Sequence, residues 1–191
     1  MRLDGNRYEE LNEEVLDLMD TYHVTDYPLS LPLLAEKMGV NLVSYSTISR
    51  VERQVLEKMS EDAFTISRGA FSVGSTYICF NDSAHSPRIR HSIAHEFAHV
   101  WLDHADCDEP FETEAHYFAA YLLAPIPLIL EHCDLNPISI SFTFDVSYEA
   151  AKIAAERARN RIACGKPQHD YEYAIVNRCE VKGVEFMKKR I

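Results

Sequence analysis

Residues 95–99 read His95-Glu96-Phe97-Ala98-His99, an H-E-x-x-H sequence. On a helix, residues four apart lie about 40° from each other around the axis, so both imidazoles can reach one ion, while Glu96 lies about 100° from His95, beside that face. In this geometry two histidines hold Zn²⁺ and the glutamate takes a proton from the water that attacks a carbonyl. Five residues also recur by chance, and a helix with two incidental histidines is the competing reading. The surroundings favour the metal. Ser86-Pro87 offers a cap and first helical residue, Ile93, Ala94, Phe97, Ala98, Val100 and Trp101 supply apolar neighbours, and β-rich runs come just before.

A catalytic zinc site takes three protein ligands and leaves one position for water. His104 lies five residues past His99, about 140° around the axis, and cannot join the same ion while the helix continues. The longer pattern with a third histidine also fails, since Leu102 stands where its glycine belongs and Ala105 where its histidine belongs. His104 is therefore expected to cap or pack near the helix end, where its cation would be favoured. Glu112 and Glu114 open the next apolar helix. Glu112 shares a face with Ala115, His116 and Ala119, small or polar residues suited to a metal site, and is the favoured third ligand. Glu114 points about 200° away and is expected to be a surface carboxylate. His116, one turn beyond Glu112, is either a partner of the ligands or a plain polar position.

Working outward, helical spacing predicts a helix over Tyr8 to Tyr22, a second over Leu33, Leu34 and Met38 opened by Ser30 or Pro32 and closed by Gly39, and a third from Ile48 to Met59. Val40 to Tyr45, Phe64 to Ile66, Ala70 to Val73 and Thr76 to Phe80 read as strands. An edge strand of the Ala70–Phe80 region would pair with an extended substrate. The central helix is expected to run to about His104, the ligand-bearing helix from Phe111 to Ala124, and at least one turn over Leu128 to Cys133. Another helix follows from Tyr148 to Ile162 after an Asp145-Val146-Ser147 turn, and Tyr171 to Val176 reads as a strand or extended tail.

The net charge of −11 disfavours wrapping nucleic acid, though it leaves a basic or DNA-associated protein as a target. The polar N-terminus has no apolar signal core, and the stretch Phe118 to Leu130, broken by Pro125 and Pro127, is too short to span a bilayer. Five scattered cysteines without a C-x-x-C pair point to reduced thiols and a cytoplasmic protein, with no membrane partner.

Together, His95–His99 and the stretch Glu112-Thr113-Glu114-Ala115-His116-Tyr117-Phe118-Ala119-Ala120-Tyr121-Leu122-Leu123-Ala124-Pro125 resemble the ImmA/IrrE family of metallo-endopeptidases, whose second motif has the form E-x-E-A-x-x-F-A-A-x-L-L-x-P. The resemblance covers roughly residues 8 to 165. It departs in Ala124, where the family commonly has Met, and in a short connection from His99 to Glu112. It implies an α+β fold: a gluzincin-like zinc-peptidase core with a small β-sheet, an H-E-x-x-H helix, a following ligand-bearing helix, and helical additions at both ends. It implies metal ligands His95, His99 and Glu112, Glu96 as general base, and one Zn²⁺ per chain, with Mn²⁺ as the alternative. The implied organisation is a zinc-peptidase domain over 1–130, a helix-turn-helix-like segment over 131–165 and a C-terminal extension, strand or tail, over 166–191. The implied substrate is a helix-turn-helix transcriptional repressor of a mobile element or a stress response.

Two other readings compete. One is a non-catalytic metal-binding regulator that interacts with a transcription factor; an intact Glu96 and the lack of a fourth Cys or His ligand speak against it. The other is direct DNA binding through Lys152, Arg157, Arg159, Arg161 and Lys166, a cluster whose ordinary meaning is a solvated helix face. For a donor to the transition-state oxyanion, His85, His116, Tyr121, His132 and His169 are the nominees.

Overall fold

Ser30 and Gly39 bracket a short helix: of the two residues that could open it, Ser30 takes the cap position, and Gly39 closes it as expected. The Ser30 side chain accepts from the Leu33 backbone N–H, and Gly39 turns the chain out of the helix at φ 69°, a left-handed conformation glycine adopts without a Cβ penalty. The computed structural model describes residues 3–67, 76–104, 108–165 and 167–182. In chain order the elements are α1 (Gly5–Thr21), β1 (Asp26–Tyr27), α2 (Leu31–Met38), β2 (Val40–Ser44), α3 (Arg50–Met59), β3 (Ala63–Ser67), β4 (Thr76–Phe80), α4 (Ser86–Trp101), α5 (Glu109–Leu123), α6 (Ile126–His132), α7 (Pro137–Phe144), α8 (Tyr148–Ala163), α9 (Asp170–Arg178) and β5 (Glu180–Val181). This is the expected α+β architecture.

The sheet runs β2-β4-β3, with β2 parallel and β3 antiparallel to β4. The strand expected over Ala70–Val73 lies outside the described residues. Among the described residues β4 is the middle strand, so Thr76–Phe80 does not supply the expected edge, and the rest of the Ala70–Phe80 region lies outside the described residues. Among the described residues the edge nearest α4 is β3, whose register (Thr65 opposite Ile78) places it over that helix.

α5 is the apolar axis of the fold. Ala115, Phe118, Ala119 and Leu122 are fully buried, packed with Phe97 and Ala98 of α4 and with Leu11, Val15 and Leu18 of α1 in one core. Tyr27 closes it by donating from its hydroxyl to the Leu122 carbonyl at 2.9 Å. α4 begins at Ser86, with His85 rather than Ser86 in the cap position, and ends at Trp101, short of His104. The chain then turns through Asp103 at φ 51°, which frees His104 from the helical direction.

The strand or tail expected over Tyr171–Val176 is helix α9, with the strand β5 only behind it, pairing in parallel with β1. The His169 backbone N–H donates to the Glu172 carboxylate at 2.8 Å, which closes the helix start, while Tyr171 and Ile175, four apart, are buried against the rest of the molecule. Two tyrosines and the β-branched Ile175 and Val176 give the stretch local strand character; packing on α1 and α6 decides for helix. No helix of the described residues is long and apolar enough to cross a membrane.

Candidate metal centre

α4 turns Ile93, Ala94, Phe97 and Ala98 into the core, which leaves His95 and His99 on the adjoining face toward a cleft. α5 packs alongside with Glu112 opposite His95 and His99 and with His116 near His91, so the two helices run antiparallel. His95 Nε2 and His99 Nε2 are 3.0 Å apart, and the Glu112 carboxylate oxygens lie 3.2 Å from the first and 3.4 Å from the second. A tetrahedral site with metal–ligand bonds of about 2.0–2.1 Å has edges of about 3.3–3.4 Å. The three donors thus fit one face of such a site, and among the described residues they form the group able to hold a metal ion. Two imidazoles and one carboxylate suit zinc.

Burial, then the neighbouring His116 and His99, pushes the His95 imidazole down to about 3. Burial also lowers His99, against the pull of Glu112. Both rings are held in the neutral form that ligates a cation. His95 Nδ1 is buried without a hydrogen-bond partner, so polar contacts fix this ring only on its Nε2 side, where the other donors converge.

Behind His99 stands a chain of contacts that reverses two expectations. His104 Nδ1 lies 3.1 Å from His99 Nδ1, and His104 Nε2 faces the Glu114 carboxylate at 3.5 Å. Glu114 is buried, and Arg7 of α1 donates to both its oxygens at 2.8 and 2.5 Å. Glu114 is therefore no surface carboxylate: its helix face turns away from Glu112, as the spacing requires, but α1 covers that face. His104 does not carry a favoured cation either, because burial lowers its pKa ahead of the opposing pull of Glu114. A neutral His104 with its proton on Nε2, toward Glu114, offers the Nδ1 lone pair to the His99 Nδ1–H. That arrangement leaves the His99 Nε2 lone pair for the centre.

The Arg7 guanidinium holds the Glu114 carboxyl below its ordinary 4.5. A carboxyl lowered in the folded state contributes stability that is present above its unfolded pKa and lost as pH falls through the folded value. Metal-free wild type is thus expected to lose more stability than Glu114→Gln between about pH 5 and about pH 3, read by urea denaturation. Parallel pH curves for the two proteins would show that the pair contributes nothing.

Glu96 is 8% exposed, and its carboxylate accepts from the Thr65 hydroxyl at 2.7 Å. Burial raises its pKa, with the Thr65 hydrogen bond opposing. A raised carboxyl beside a cleft is what a general base working near neutrality needs. Thr65 could not be singled out from the sequence, because which β3 residue reaches α4 depends on how the sheet lies over the helix. The cleft, about 900 Å³, is lined by Ala63, Phe64 and Thr65 of β3 and by His95, Glu96, His99, Glu112 and His116. Of the five nominees for an oxyanion donor, His116 alone lines it; its exposed ring lies 4.4 Å from that of His95. Tyr121 is buried in the core, His85 lines a neighbouring cavity, His169 stands 3.9 Å from Glu9, and His132 lies on α6.

Comparison with curated proteins finds no match. Comparison with family profiles matches residues 35–156 to a peptidase family described as the IrrE N-terminal-like domain. The match takes in β2, the sheet and both helices of the centre, and leaves α1, with Arg7, outside it. With well over half its length matched, the chain belongs to this IrrE N-terminal-like peptidase family, the ImmA/IrrE metallopeptidases.

Proposed function

We propose that the protein is a zinc-dependent endopeptidase with Glu96 as general base. The observation that carries this reading is the convergence of His95, His99 and Glu112 at tetrahedral spacing, with a buried carboxylate one residue along the helix. His95, His99 and Glu112 would hold the cation. When bound, it would polarise the scissile carbonyl and lower the pKa of water toward neutrality. Glu96, oriented by Thr65, accepts the proton from the attacking water and returns it to the leaving amine. His116 stands where it can donate to the developing oxyanion. Among the described residues β3 is a sheet edge, and an extended peptide adding to it as a further strand must come from a flexible segment of the target.

The His104 contact gives this reading a graded consequence. His104→Ala is expected to weaken zinc affinity about 10–100-fold, measured by competition with a chromophoric chelator at a temperature where the metal-free variant is folded, and also to lower the metal-free melting temperature, because the side chain is buried and stacks on Phe111. Unchanged zinc affinity would mean that His104 only packs.

The substrate we propose is a helix-turn-helix transcriptional repressor, as in the family the chain belongs to. Four of the five basic residues read as a possible DNA surface have other engagements: Lys152 pairs with Glu149, Arg157 lies over the Tyr117 ring, Arg159 donates to the Leu135 carbonyl and Arg161 pairs with Glu172; Lys166 lies outside the described residues. With a net charge of −11, the protein meets such a repressor rather than its operator. Incubating the zinc-loaded protein with the repressor encoded beside its gene, with mass spectrometry of the products, tests this. A single cut in an exposed linker is expected; an intact repressor would exclude it as substrate.

A further inference from the structure

A second cavity, of about 490 Å³, lies between α4, α5 and α8 and adjoins the catalytic cleft. Asp62, His91, Ser92 and His116 line both spaces. The His91 and His116 rings stack with centroids 5.6 Å apart, one from each helix of the metal centre, and stand at the threshold. Beyond it the walls are mostly apolar and small. α8 turns Ala151, Ala155 and Ala158 into the core, and its neighbouring stripe, Ala150 and Ala154, faces the cavity opposite Ala120 of α5. Ile153 lies at the lining while 52% exposed.

The cations that reach this lining have other partners. Arg88 is paired with Asp62 at 2.8 Å, and the Arg157 guanidinium lies 4.8 Å from the Tyr117 ring centroid. What remains for an occupant is chiefly apolar surface of a size suited to ligand binding, open to solvent and adjoining the metal cleft through the lining residues the two share.

We propose that this cavity is the specificity pocket of the peptidase and receives a large apolar side chain, such as Phe, Leu or Met, from the residue next to the scissile bond. The proposal rests on the peptidase reading of the centre and adds its substrate class. With the peptide backbone along β3 and the scissile carbonyl at the centre, the adjoining side chain passes His91 and His116 and is buried against Ala120, Ala150 and Ala154. α8, which follows the metal-centre helices by some distance in sequence, then takes part in substrate selection. A small or charged residue at that position gains nothing from these walls and is cleaved more slowly.

Two succinyl hydroxamates test this on the zinc-loaded full chain. They are identical except that one carries a benzyl group next to the chelating end and the other a hydrogen. The unsubstituted compound reports access to the metal, and the ratio of the two affinities reports the pocket. By calorimetry, wild type is expected to bind the benzyl compound about 10- to 100-fold more tightly, the gain from burying one such side chain. Ala154→Trp, which fills the cavity, is expected to reduce that ratio to within about threefold, and Ala150→Leu, a gentler filling, to reduce it in part. Equal affinities in wild type, or a ratio untouched in both variants, would overturn the pocket. If the zinc-loaded wild type binds neither compound, it is the reading of the metal centre that falls.

Discussion

Zinc-loaded protein carrying Glu96→Gln is expected to cleave the proposed repressor substrate about 10²–10⁴-fold more slowly than wild type while binding one zinc ion per chain as before. The amide has nearly the shape of the carboxylate and can still meet the Thr65 hydroxyl, so the fold and the three donors are undisturbed. It cannot accept a proton, and that is the function assigned to Glu96. Glu96 lines the cleft but is only 8% exposed, so the substitution changes little of the surface that a substrate meets apart from the proton acceptor itself. Single-turnover cleavage followed by mass spectrometry, with zinc measured on the same sample, separates the two properties. Cleavage retained at wild-type rate would remove Glu96 from the mechanism.

Glu112→Gln is expected to abolish the stabilisation that zinc gives, whereas Glu114→Gln is expected to keep it. A ligand present at about 1,000 times its dissociation constant stabilises the folded state by about 4 kcal/mol, which for a chain of this size raises the melting temperature by about 8–16 °C. The carboxylate of Glu112 supplies the anionic donor 3.2 and 3.4 Å from the two imidazoles, and a neutral amide in its place leaves two histidines, too few for a catalytic zinc site. Glu114 lies on the opposite face with Arg7 and His104. Its amide variant should be less stable without metal, since Arg7 would lose its charged partner, yet should still gain from zinc. Differential scanning fluorimetry of the three proteins with and without zinc reads both effects. A zinc-induced rise that survives Glu112→Gln and vanishes in Glu114→Gln would reverse the assignment of the third ligand.

Much of the fold is legible in the sequence because it is written locally. The Ser30 cap, the left-handed Gly39, the Ser147 cap of α8 and the apolar spacing of α1 and α5 all depend on residues within a turn or two of each other. The errors fall where local signals are weak or where a distant element decides. α9 was readable as a strand because its short run of tyrosines and β-branched residues carries no strong period, and only its docking on α1 and α6 makes it helical. The end of α4 at Trp101, rather than near His104, reflects the turn through Asp103, a left-handed residue that no glycine announces.

The same division runs through the H-E-x-x-H stretch and what surrounds it. His95 and His99 on one helical face, Glu96 beside them and Glu112 ahead of an opposing Glu114 follow from 3.6 residues per turn, which needs no knowledge of the rest of the chain. Tertiary structure decided how these groups are supported and what they face. Thr65 reaches Glu96 from 31 positions away, Arg7 reaches Glu114 from 107 positions away, and the apolar cavity needs α8 laid against α4 and α5. Helical geometry determines which side chains share a face. What covers that face is set by burial and packing among elements far apart in the chain, and no local spacing encodes it.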